Sequence, residues 1–380
     1  MGDRAQSDID LLGGARSALV VDLGAIVANW RLLAKRAAPA ECAAVVKANA
    51  YGLGAGRVVP ALAAAGCKTF FVASAAEGEA CRRALGSDTA DIYVLDGLAG
   101  TAPATFALND LRPVLSSPEE VSAWTSAPSH ALPFALHIDT GMARLGLMPD
   151  DCVGLHLTSK PALLMTHPAC ADDLADPMTA RQAATFDRLC DALGDMARDV
   201  PRSFANSPAT LSDPRYRYDL TRPGIALYGG RAVNEVANPM RAAVRLIARV
   251  LQVRSIAEGE TVGYGATFAA KRPTRVATIA VGYADGVPRA LGNAAGAQHP
   301  CVVIAGHACP LIGRVSMDLT TVDITEAPHG ALTAGATADV IGPHLTIDDI
   351  ADRTGTIGYE ILTGLGARLP RVYVGAAETT

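Results

Sequence analysis

The sequence predicts a (β/α)8, TIM-like barrel followed by a mostly antiparallel β domain. From residue 41 to about 230, short apolar runs recur roughly every 20 to 40 residues, and helix-like stretches separate most of them. Eight strand–helix repeats favour parallel strands closed into a barrel over an open sheet. After about residue 240, turns containing Gly and Pro replace the helices, which is typical of antiparallel β structure.

The barrel prediction depends on one apolar run for each strand. A ninth run, Ala18–Asp22, precedes a predicted helix at Leu23–Ala37, and periodicity alone does not decide whether it belongs to the ring. Between later runs, helices are predicted at Gly56–Ala65, Ala75–Leu85 and Met178–Met196. The eight runs are Cys42–Lys47, Thr69–Ser74, Asp91–Asp96, Leu111–Leu115, Phe134–Asp139, Leu163–His167, Arg202–Asn206 and Arg222–Tyr228.

The β domain is predicted from a second series of runs. One helix is expected among them at Thr346–Arg353, because Thr346 can cap it and Asp349 falls in its first turn. We place the barrel domain at 17–236 and the β domain at 237–380. The predicted strands are Val244–Ile256, Thr261–Gly265, Arg275–Val281, Cys301–Ala305, Asp318–Ile324 and Ala338–Gly342.

Composition narrows the functional classes. The chain has 380 residues, is 50% hydrophobic and 19% charged, and carries a net charge of −5 without a basic stripe. These values predict a globular protein with an ample core, and they argue against nucleic acid and membrane partners. None of the eight cysteines forms C-x-x-C, so we expect no metal site, no disulfide framework and a reducing, cytoplasmic location.

Polar residues follow several of the predicted barrel strands. In such barrels the chemistry lies at the carboxyl ends of the strands. Taken singly, each residue here is more often structural: a solvated lysine, a hydrogen-bonding histidine, a helix-capping serine or a surface arginine. Their convergence on one end of one barrel favours a binding site. The residues are Lys47, Tyr51, His137, Asp139, Arg144, His167, Asn206, Ser207, Arg222, Gly224 and Ile225.

The seventh and eighth strand ends together predict a phosphate site. Ser207 offers a hydroxyl, and the backbone N–H groups of Gly224 and Ile225 are donors that a ligand can approach closely. Lys47 lies at another strand end of the same barrel. A phosphate-bearing cofactor whose carbonyl captures an amine would use both features, and pyridoxal 5′-phosphate (PLP) is the obvious candidate.

Seven motifs in order resemble those of alanine racemases, and the resemblance runs from about residue 17 to 374. It implies a fold-type III PLP enzyme that places Ala18–Asp22 outside the ring. It also implies a head-to-tail homodimer, in which the β domain of one subunit completes the barrel site of the other. The motifs are VVKANAYGLG (45–54), HIDTGMARLG (137–146), TRPGIALYGG (221–230), VGYGATF (262–268), VGYADG (281–286), GRVSMD (313–318) and GYEIL (358–362).

The resemblance assigns the catalytic roles. Lys47 matches the lysine that forms the PLP aldimine and then exchanges a proton with alanine. Tyr264 matches a second acid/base that comes from the other subunit, since racemisation needs proton exchange on both faces of the α-carbon. The implied reaction interconverts L-alanine and D-alanine by this two-base mechanism. Arg222 matches the arginine at the pyridine nitrogen, and His167 matches a residue that supports it.

The remaining roles also follow from the resemblance. Arg144 and the backbone N–H of Met317 match the groups that hold the substrate carboxylate. The cofactor contacts are completed by Tyr51, Asn206, Ser207, Gly224, Ile225 and Tyr359. The gate to the site is matched by Asp172, Tyr283, Arg289, Arg314 and Asp318.

Two positions depart from the family pattern. Many members have a carbamylated lysine at the position of His137, where its negative charge holds the substrate-binding arginine. Histidine forms no stable carbamate, so we expect Arg144 to be held by another acceptor, such as a neighbouring side chain or a bound anion. Many members carry histidine in place of Ser203, and serine is expected to retune the hydrogen bonds of Arg222 without loss of activity.

Three alternatives differ from alanine racemisation. A racemase of broader specificity would keep Lys47 and Tyr264 but widen the gate. A fold-type III decarboxylase would not need Tyr264, and a regulatory PLP-binding barrel would lack the β domain. The family expectation is synthesis of D-alanine as a peptidoglycan precursor, although the sequence does not separate this from D-alanine breakdown.

Overall fold

The computed structural model describes residues 8–375 except 128–131, 154, 156, 158, 294–299 and 331. The chain forms two compact units. One is Ala25–Arg241, and the other combines Met1–Gly24 with Ala242–Thr380. Strand β1 (Ser17–Asp22) lies in the second unit, so the chain contributes a strand to that unit before it enters the barrel.

The barrel unit is built on parallel strands. Strands β3 to β9 pair in sequence order, and β10 pairs in parallel with β2. Because β2 leads through Ala43 directly into β3, and the Arg222 N–H after β10 donates to the Ala205 carbonyl after β9 at 2.8 Å, the strands return to the start of the sheet. The predicted fold class is confirmed. The strands are β2 (Glu41–Cys42), β3 (Ala44–Val45), β4 (Thr69–Val72), β5 (Asp91–Val94), β6 (Arg112–Leu115), β7 (Ala135–His137), β8 (Leu163–Met165), β9 (Arg202–Ser203) and β10 (Leu220–Thr221).

The barrel strands have both faces covered, and their sequences show it. All four residues of β4, Thr-Phe-Phe-Val, are buried. Such continuous apolar runs are typical of parallel strands flanked by helices. The helices of this unit are Leu23–Ala37, Ala55–Ala64, Ala75–Leu85, Pro103–Leu108, Pro118–Thr125, Pro149–Val153, Met178–Ala192 and Ser207–Leu211, with short helical turns at Lys47–Tyr51, Gly194–Met196, Pro214–Tyr216 and Ile225–Tyr228.

Two sequence predictions in this unit were wrong in position. The eighth strand was expected at Arg222–Tyr228 but is β10, and Ile225–Tyr228 is a 3-10 turn. Pro223 has no N–H to donate to a ladder, so the strand ends before it. The helix expected at Met178–Met196 ends at Ala192, because Gly194 adopts a left-handed φ of 57°.

The second unit is a mostly antiparallel sheet. Its strand order is β16-β15-β18-β11-β1-β19, and β14 pairs with both β11 and β17. β1 runs antiparallel to β11 and parallel to β19. The strands are β11 (Val244–Ile256), β12 (Thr261–Val262), β13 (Phe268–Ala269), β14 (Thr274–Ile279), β15 (Cys301–Ile304), β16 (His307–Pro310), β17 (Thr320–Asp323), β18 (Thr337–Ile341) and β19 (Arg371–Val374).

Local sequence explains the helices of this unit. The helix Ile347–Thr354 begins at Thr346, whose hydroxyl accepts from the Asp349 N–H at 3.1 Å while the Asp349 carboxylate accepts from Thr346. This capping box satisfies donors that the first turn leaves unpaired. A second helix, Gly358–Thr363, was not predicted. No helix in the described part of either unit is long and apolar enough to cross a membrane.

Candidate active site

Lys47 lies where the first barrel strand stops. The Val46 N–H donates to the Phe71 carbonyl at 2.8 Å, which continues the β3–β4 ladder up to the residue before the lysine. Ala44, Val45 and Val46 are buried, whereas the Lys47 side chain is half-buried. A rigid strand therefore fixes the backbone from which the lysine leaves the core.

The chain reverses its handedness directly after Lys47. Ala48, Asn49, Ala50 and Tyr51 all have φ between 53° and 55°, so they form a left-handed turn without glycine. For L-residues this conformation costs roughly 1–2 kcal/mol per residue, and single residues are the usual limit. The turn is closed by the Gly52 N–H, which donates to the Ala48 carbonyl at 2.7 Å. Surrounding contacts must hold such a strained segment in place.

The surroundings of Lys47 lower its pKa below the ordinary value of 10.5. Burial is the largest cause, and the positive charge of Arg144 acts in the same direction. The carboxylates of Asp96 and Glu77 oppose the shift. Removing a proton from the ammonium is thus easier than in water, which suits a lysine that acts as nucleophile or base.

A small donor cradle forms where the ends of β9 and β10 meet. The Ser207 hydroxyl accepts from the Gly224 N–H at 2.8 Å and from the Ala226 N–H at 3.3 Å. Asn206 starts the helix Ser207–Leu211 by accepting from the Ala209 N–H. Ile225 is fully buried beside them. A hydroxyl and several backbone N–H groups gathered at one place are suited to a phosphate.

Tyr51 reaches the same cradle from the left-handed turn. A Cβ added to Gly224 would collide with the Tyr51 hydroxyl oxygen, so only glycine leaves room for that hydroxyl. The Tyr51 ring packs on the Tyr228 ring at a centroid distance of 4.7 Å. The Tyr228 hydroxyl donates to the Val45 carbonyl at 2.9 Å. The cradle is thereby tied to the strand that carries Lys47.

Arg222 is a buried cation at the floor of the site. Its Nη2 donates to the Thr166 carbonyl at 2.5 Å, and its Nη1 donates to the Ser203 hydroxyl. Ser203 in turn donates to the Leu220 carbonyl at 2.5 Å. Burial lowers the pKa of Arg222 to about 9, which still leaves the guanidinium protonated at neutral pH. Arg222 therefore presents a fixed positive donor.

The two histidines at neighbouring strand ends are kept neutral. Burial, with Arg222 and then Arg144, lowers the pKa of His137 to about 4. The same causes, in the same order, hold the pKa of His167 well below 6.5.

Gln182 is a buried residue that the sequence did not single out, and it holds the loops after these two strands. It donates to the His167 carbonyl at 3.0 Å and to the Thr140 hydroxyl at 3.2 Å. Its only sequence signal was a polar residue on an apolar helix face.

Arg144 follows a loop that Asp139 organises. The Asp139 carboxylate accepts from the backbone N–H groups of Gly141, Met142 and Ala143 at 2.8 to 2.9 Å. Arg144 itself is exposed. Within the described residues its guanidinium makes no hydrogen bond or ion pair, so the side-chain acceptor expected in place of a carbamate is not seen.

In the second unit, Tyr264 stands on a tight turn. Gly263 and Gly265, on either side of it, have φ of 77° and 73°, and the Tyr264 side chain is 70% exposed. The Arg314 guanidinium packs over this turn, since a Cβ at Gly265 would lie 3.1 Å from Arg314 Nη1. Two glycines that allow positive φ thus project a tyrosine away from its own unit.

The GYADG and VSMD motifs pair with each other in the second unit. The Tyr283 N–H donates to the Ser316 carbonyl and the Ala284 N–H to the Met317 carbonyl, both at 3.0 Å. The Tyr283 and Met317 side chains are 41% and 53% exposed. With Tyr264, they place three large exposed side chains in motifs that the sequence assigned to the active site.

The predicted gate residues differ in how firmly they are held. Asp318 is paired with Arg368 at 2.7 Å, and Arg368 also binds the buried Asp285 at 2.6 Å. The Asp172 carboxylate accepts from Asn234 at 3.1 Å. Sequence reasoning missed Arg368 and Asp285, because a charge pair of this separation has no local signal. Arg289 is exposed, and Tyr359 lies in the helix Gly358–Thr363.

The barrel unit therefore brings together most of the predicted cofactor site. Arg222, Arg144 and Lys47 are near enough to His167 to lower its pKa, and Tyr51 and Ser207 meet at Gly224. The other predicted residues belong to the second unit: Tyr264, Tyr283, Arg289, Arg314, Met317, Asp318 and Tyr359.

Known proteins are similar to this chain over most of its length. Family models for the N-terminal and C-terminal domains of alanine racemase match residues 21–232 and 243–373. An alanine racemase of Methylobacterium nodulans is 47% identical over 370 residues, which cover 95% of this chain and 96% of the relative.

Solved structures of alanine racemases are also similar to this chain. Alanine racemase from Bartonella henselae with covalently bound pyridoxal phosphate superposes with a TM-score of 0.86 and 36% identity, covering 95% of this chain and 100% of that one. Biosynthetic alanine racemase from Pseudomonas aeruginosa superposes with a TM-score of 0.83 and 37% identity, and the match covers 94% of this chain and 99% of that one.

Proposed function

Because the chain belongs to the alanine racemase family, we propose that it interconverts L-alanine and D-alanine with PLP as cofactor. It is an isomerase of the amino-acid racemase class. One observation carries this proposal. Lys47, half-buried and with a lowered pKa, follows the first strand of the barrel, and the same barrel holds the Ser207–Gly224 cradle, which is suited to a phosphate. The broader racemase and the decarboxylase are not favoured by the relatives.

The barrel residues fit PLP. Lys47 would anchor the aldehyde carbon, and the phosphate would take the donors of Ser207, Gly224, Ile225 and Tyr51. The fit rests on the glycine at 224, where a side chain would close the space beside the Tyr51 hydroxyl. When bound, PLP supplies a conjugated ring that accepts the electron pair left on the α-carbon after proton removal. Asn206 would support this end by holding the turn that presents Ser207.

Arg222 would sit at the pyridine nitrogen of the cofactor. A guanidinium keeps its protons at neutral pH, so it donates a hydrogen bond without transferring a proton to that nitrogen. Its position is fixed by the Thr166 carbonyl and Ser203. His167, neutral and buried near Arg222, would support this edge. A nitrogen left unprotonated makes a weaker electron sink, which favours racemisation over side reactions such as transamination.

Two residues would handle the α-proton. Lys47 would exchange it on one face and Tyr264 of the partner subunit on the other. Each positioned acid or base contributes on the order of 10²–10⁴ in rate. Arg144 and the Met317 N–H would hold the substrate carboxylate. The gate residues would admit only a substrate whose side chain is as small as the methyl group of alanine.

A homodimer with composite sites is part of this proposal. It is supported by the exposure of Tyr264, Tyr283 and Met317, since large exposed apolar and aromatic side chains often mark a binding surface. A cytoplasmic location and a role in making D-alanine as a peptidoglycan precursor also belong to the proposal. The free state of all eight cysteines and the biosynthetic relative from Pseudomonas aeruginosa support them.

The assignment is tested by locating the cofactor and measuring specificity. Purified enzyme is reduced with sodium borohydride, digested and analysed by mass spectrometry, with Lys47→Ala as the control. We expect PLP on the peptide that contains Lys47, and no racemisation by the variant. Alanine should be racemised at least tenfold faster than serine, lysine or arginine. Equal rates for these substrates would indicate the broader racemase, and a product lacking the carboxylate would indicate a decarboxylase.

A further inference from the structure

We propose that Glu77 is a positioning residue for Lys47: its carboxylate fixes the backbone that carries the lysine, by bridging the ends of β3 and β4. The inference deepens the proposed function and rests on Lys47 being the lysine that anchors the cofactor. Glu77 lies in the first turn of the helix Ala75–Leu85, which follows β4.

The two carboxylate oxygens of Glu77 bind two different loops. Oε1 accepts from the Ala48 N–H at 2.8 Å, and Oε2 accepts from the Ala73 N–H at 2.8 Å. Ala48 is the residue after Lys47, and Ala73 is the residue after β4. The Glu77 N–H donates to the Ser74 hydroxyl at 3.4 Å, which fixes the helix start that carries this side chain.

The carboxylate replaces a missing step of the β3–β4 ladder. In a continued parallel ladder, Ala73 would donate to the Val46 carbonyl and Ala48 to the Ala73 carbonyl. Both acceptors are used elsewhere: the Val46 carbonyl by the Ala50 N–H at 2.8 Å, and the Ala73 carbonyl by the Asp96 N–H at 2.9 Å. Glu77 therefore takes up two donors that the left-handed turn leaves without ladder partners.

The position of Ala48 makes this contact relevant to Lys47. Ala48 begins the run of left-handed residues, with φ 53° and ψ 45°. A strained conformation persists only when neighbours fix it. An ionised acceptor on the first N–H of the turn fixes the peptide that joins Lys47 to Ala48, and with it the direction of the lysine side chain.

The barrel contains a second glutamate that bridges two strand ends in the same way but lies away from Lys47. Glu120, in the first turn of the helix Pro118–Thr125, accepts from the Leu98 N–H at 2.7 Å and from the Ser116 N–H at 2.9 Å. It bridges the ends of β5 and β6 as Glu77 bridges β3 and β4. Its N–H is capped by Ser117 at 3.3 Å, as that of Glu77 is by Ser74. Glu120 is thus an internal control for the structural part of the role.

The charge of Glu77 adds a second, separable effect. The charged groups that act on Lys47 are Arg144, Asp96 and Glu77, and His167 lies near it as a neutral group. Glu77 favours the ammonium form, so neutralising it would let the pKa of Lys47 fall further. If Glu77 only held the backbone in place, its neutralisation would leave the pKa of Lys47 unchanged.

The test compares Glu77→Gln with Glu120→Gln in the full-length enzyme, stripped of PLP with hydroxylamine and refilled. We measure the dissociation constant of PLP on refilling. In the PLP-free enzyme we measure the pH dependence of labelling of Lys47 by trinitrobenzenesulfonate, read on its tryptic peptide. Glu77→Gln should weaken PLP binding by about tenfold and move the labelling midpoint about half a pH unit lower. Glu120→Gln should stay within twofold of the wild type, with no pH shift.

A shorter variant separates position from charge. Glu77→Asp keeps the charge but cannot span both N–H groups, so PLP binding should weaken without a shift of the labelling midpoint. If Glu77→Gln does not fold, this variant decides alone. Equal PLP constants and labelling profiles for the Glu77 and Glu120 variants would overturn the inference. Borohydride mapping of the wild type keeps the two proposals apart, because PLP found on another lysine would refute the proposed function itself.

Discussion

Replacing Gly224 with alanine tests the phosphate cradle most sharply. The added Cβ would meet the Tyr51 hydroxyl oxygen, and it would lie 3.0 Å from Tyr51 Cζ. Gly224 has φ −122° and ψ −83°, and the crowding against Tyr51 is the cost that the structure shows for an added Cβ. Overpacking of this kind costs about 1–3 kcal/mol. If this crowding reduces the binding free energy of PLP by the same amount, the dissociation constant of PLP rises roughly 5- to 150-fold.

The assay is a titration of cofactor-free enzyme with PLP, followed by absorbance. Gly56→Ala is the matched control, because a Cβ at this helical position meets nothing within 4 Å. The double variant Gly224→Ala/Tyr51→Phe removes the atom that the Cβ meets first. Its PLP constant should therefore lie below the product of the two single effects. Wild-type affinity in Gly224→Ala would refute the cradle assigned here.

Three further predictions concern the supporting contacts. Ser203→Ala leaves a buried N–H of Arg222 without its acceptor and should lower the free energy of unfolding by about 2 kcal/mol in urea; an unchanged midpoint would contradict that hydrogen bond. His137 has a pKa of about 4 in the folded state against 6.5 in the unfolded chain, so it is neutral when folded and its contribution to stability falls as pH drops from 6.5 to 4. His137→Asn should flatten the stability–pH profile in that range, and a profile parallel to the wild type would count against it. Arg368→Met removes the cationic partner of the buried Asp285 carboxylate, which then keeps, among the described residues, only the Gly282 N–H, and should lower the midpoint of thermal unfolding; an unchanged midpoint would argue against the ion pair.

Strand ends were the part of this fold most open to prediction. Apolar runs bounded by polar residues located β4, β5 and β6 to within two residues at each end. They also indicated Lys47 and His167, because buried parallel strands are continuous in hydrophobicity and the site lies where that continuity stops. The eighth strand was misplaced since Ile225–Tyr228 is as apolar as a strand but is cut off by Pro223 and Gly224.

Other features had no local signal. The left-handed turn of Ala48–Tyr51 contains no glycine, so nothing in its composition indicates positive φ. Glu77 looked like an ordinary acidic residue in a first helical turn, and its carboxylate instead binds two backbone donors from different loops. Gln182 and Arg368 act across 15 and 83 residues of sequence, to His167 and Asp285. Contacts set by tertiary packing are visible only in the folded chain.

The exchange of the α-proton in deuterated water, followed from each enantiomer of alanine, tests the two-base account most directly. For Tyr264→Phe we expect racemisation to fall by about 10²–10⁴ in both directions. Deuterium should still enter the enantiomer whose α-proton faces Lys47, and its configuration should be retained. Racemisation by Tyr264→Phe within a few-fold of the wild type in both directions would contradict the assignment of Tyr264 as the second acid/base.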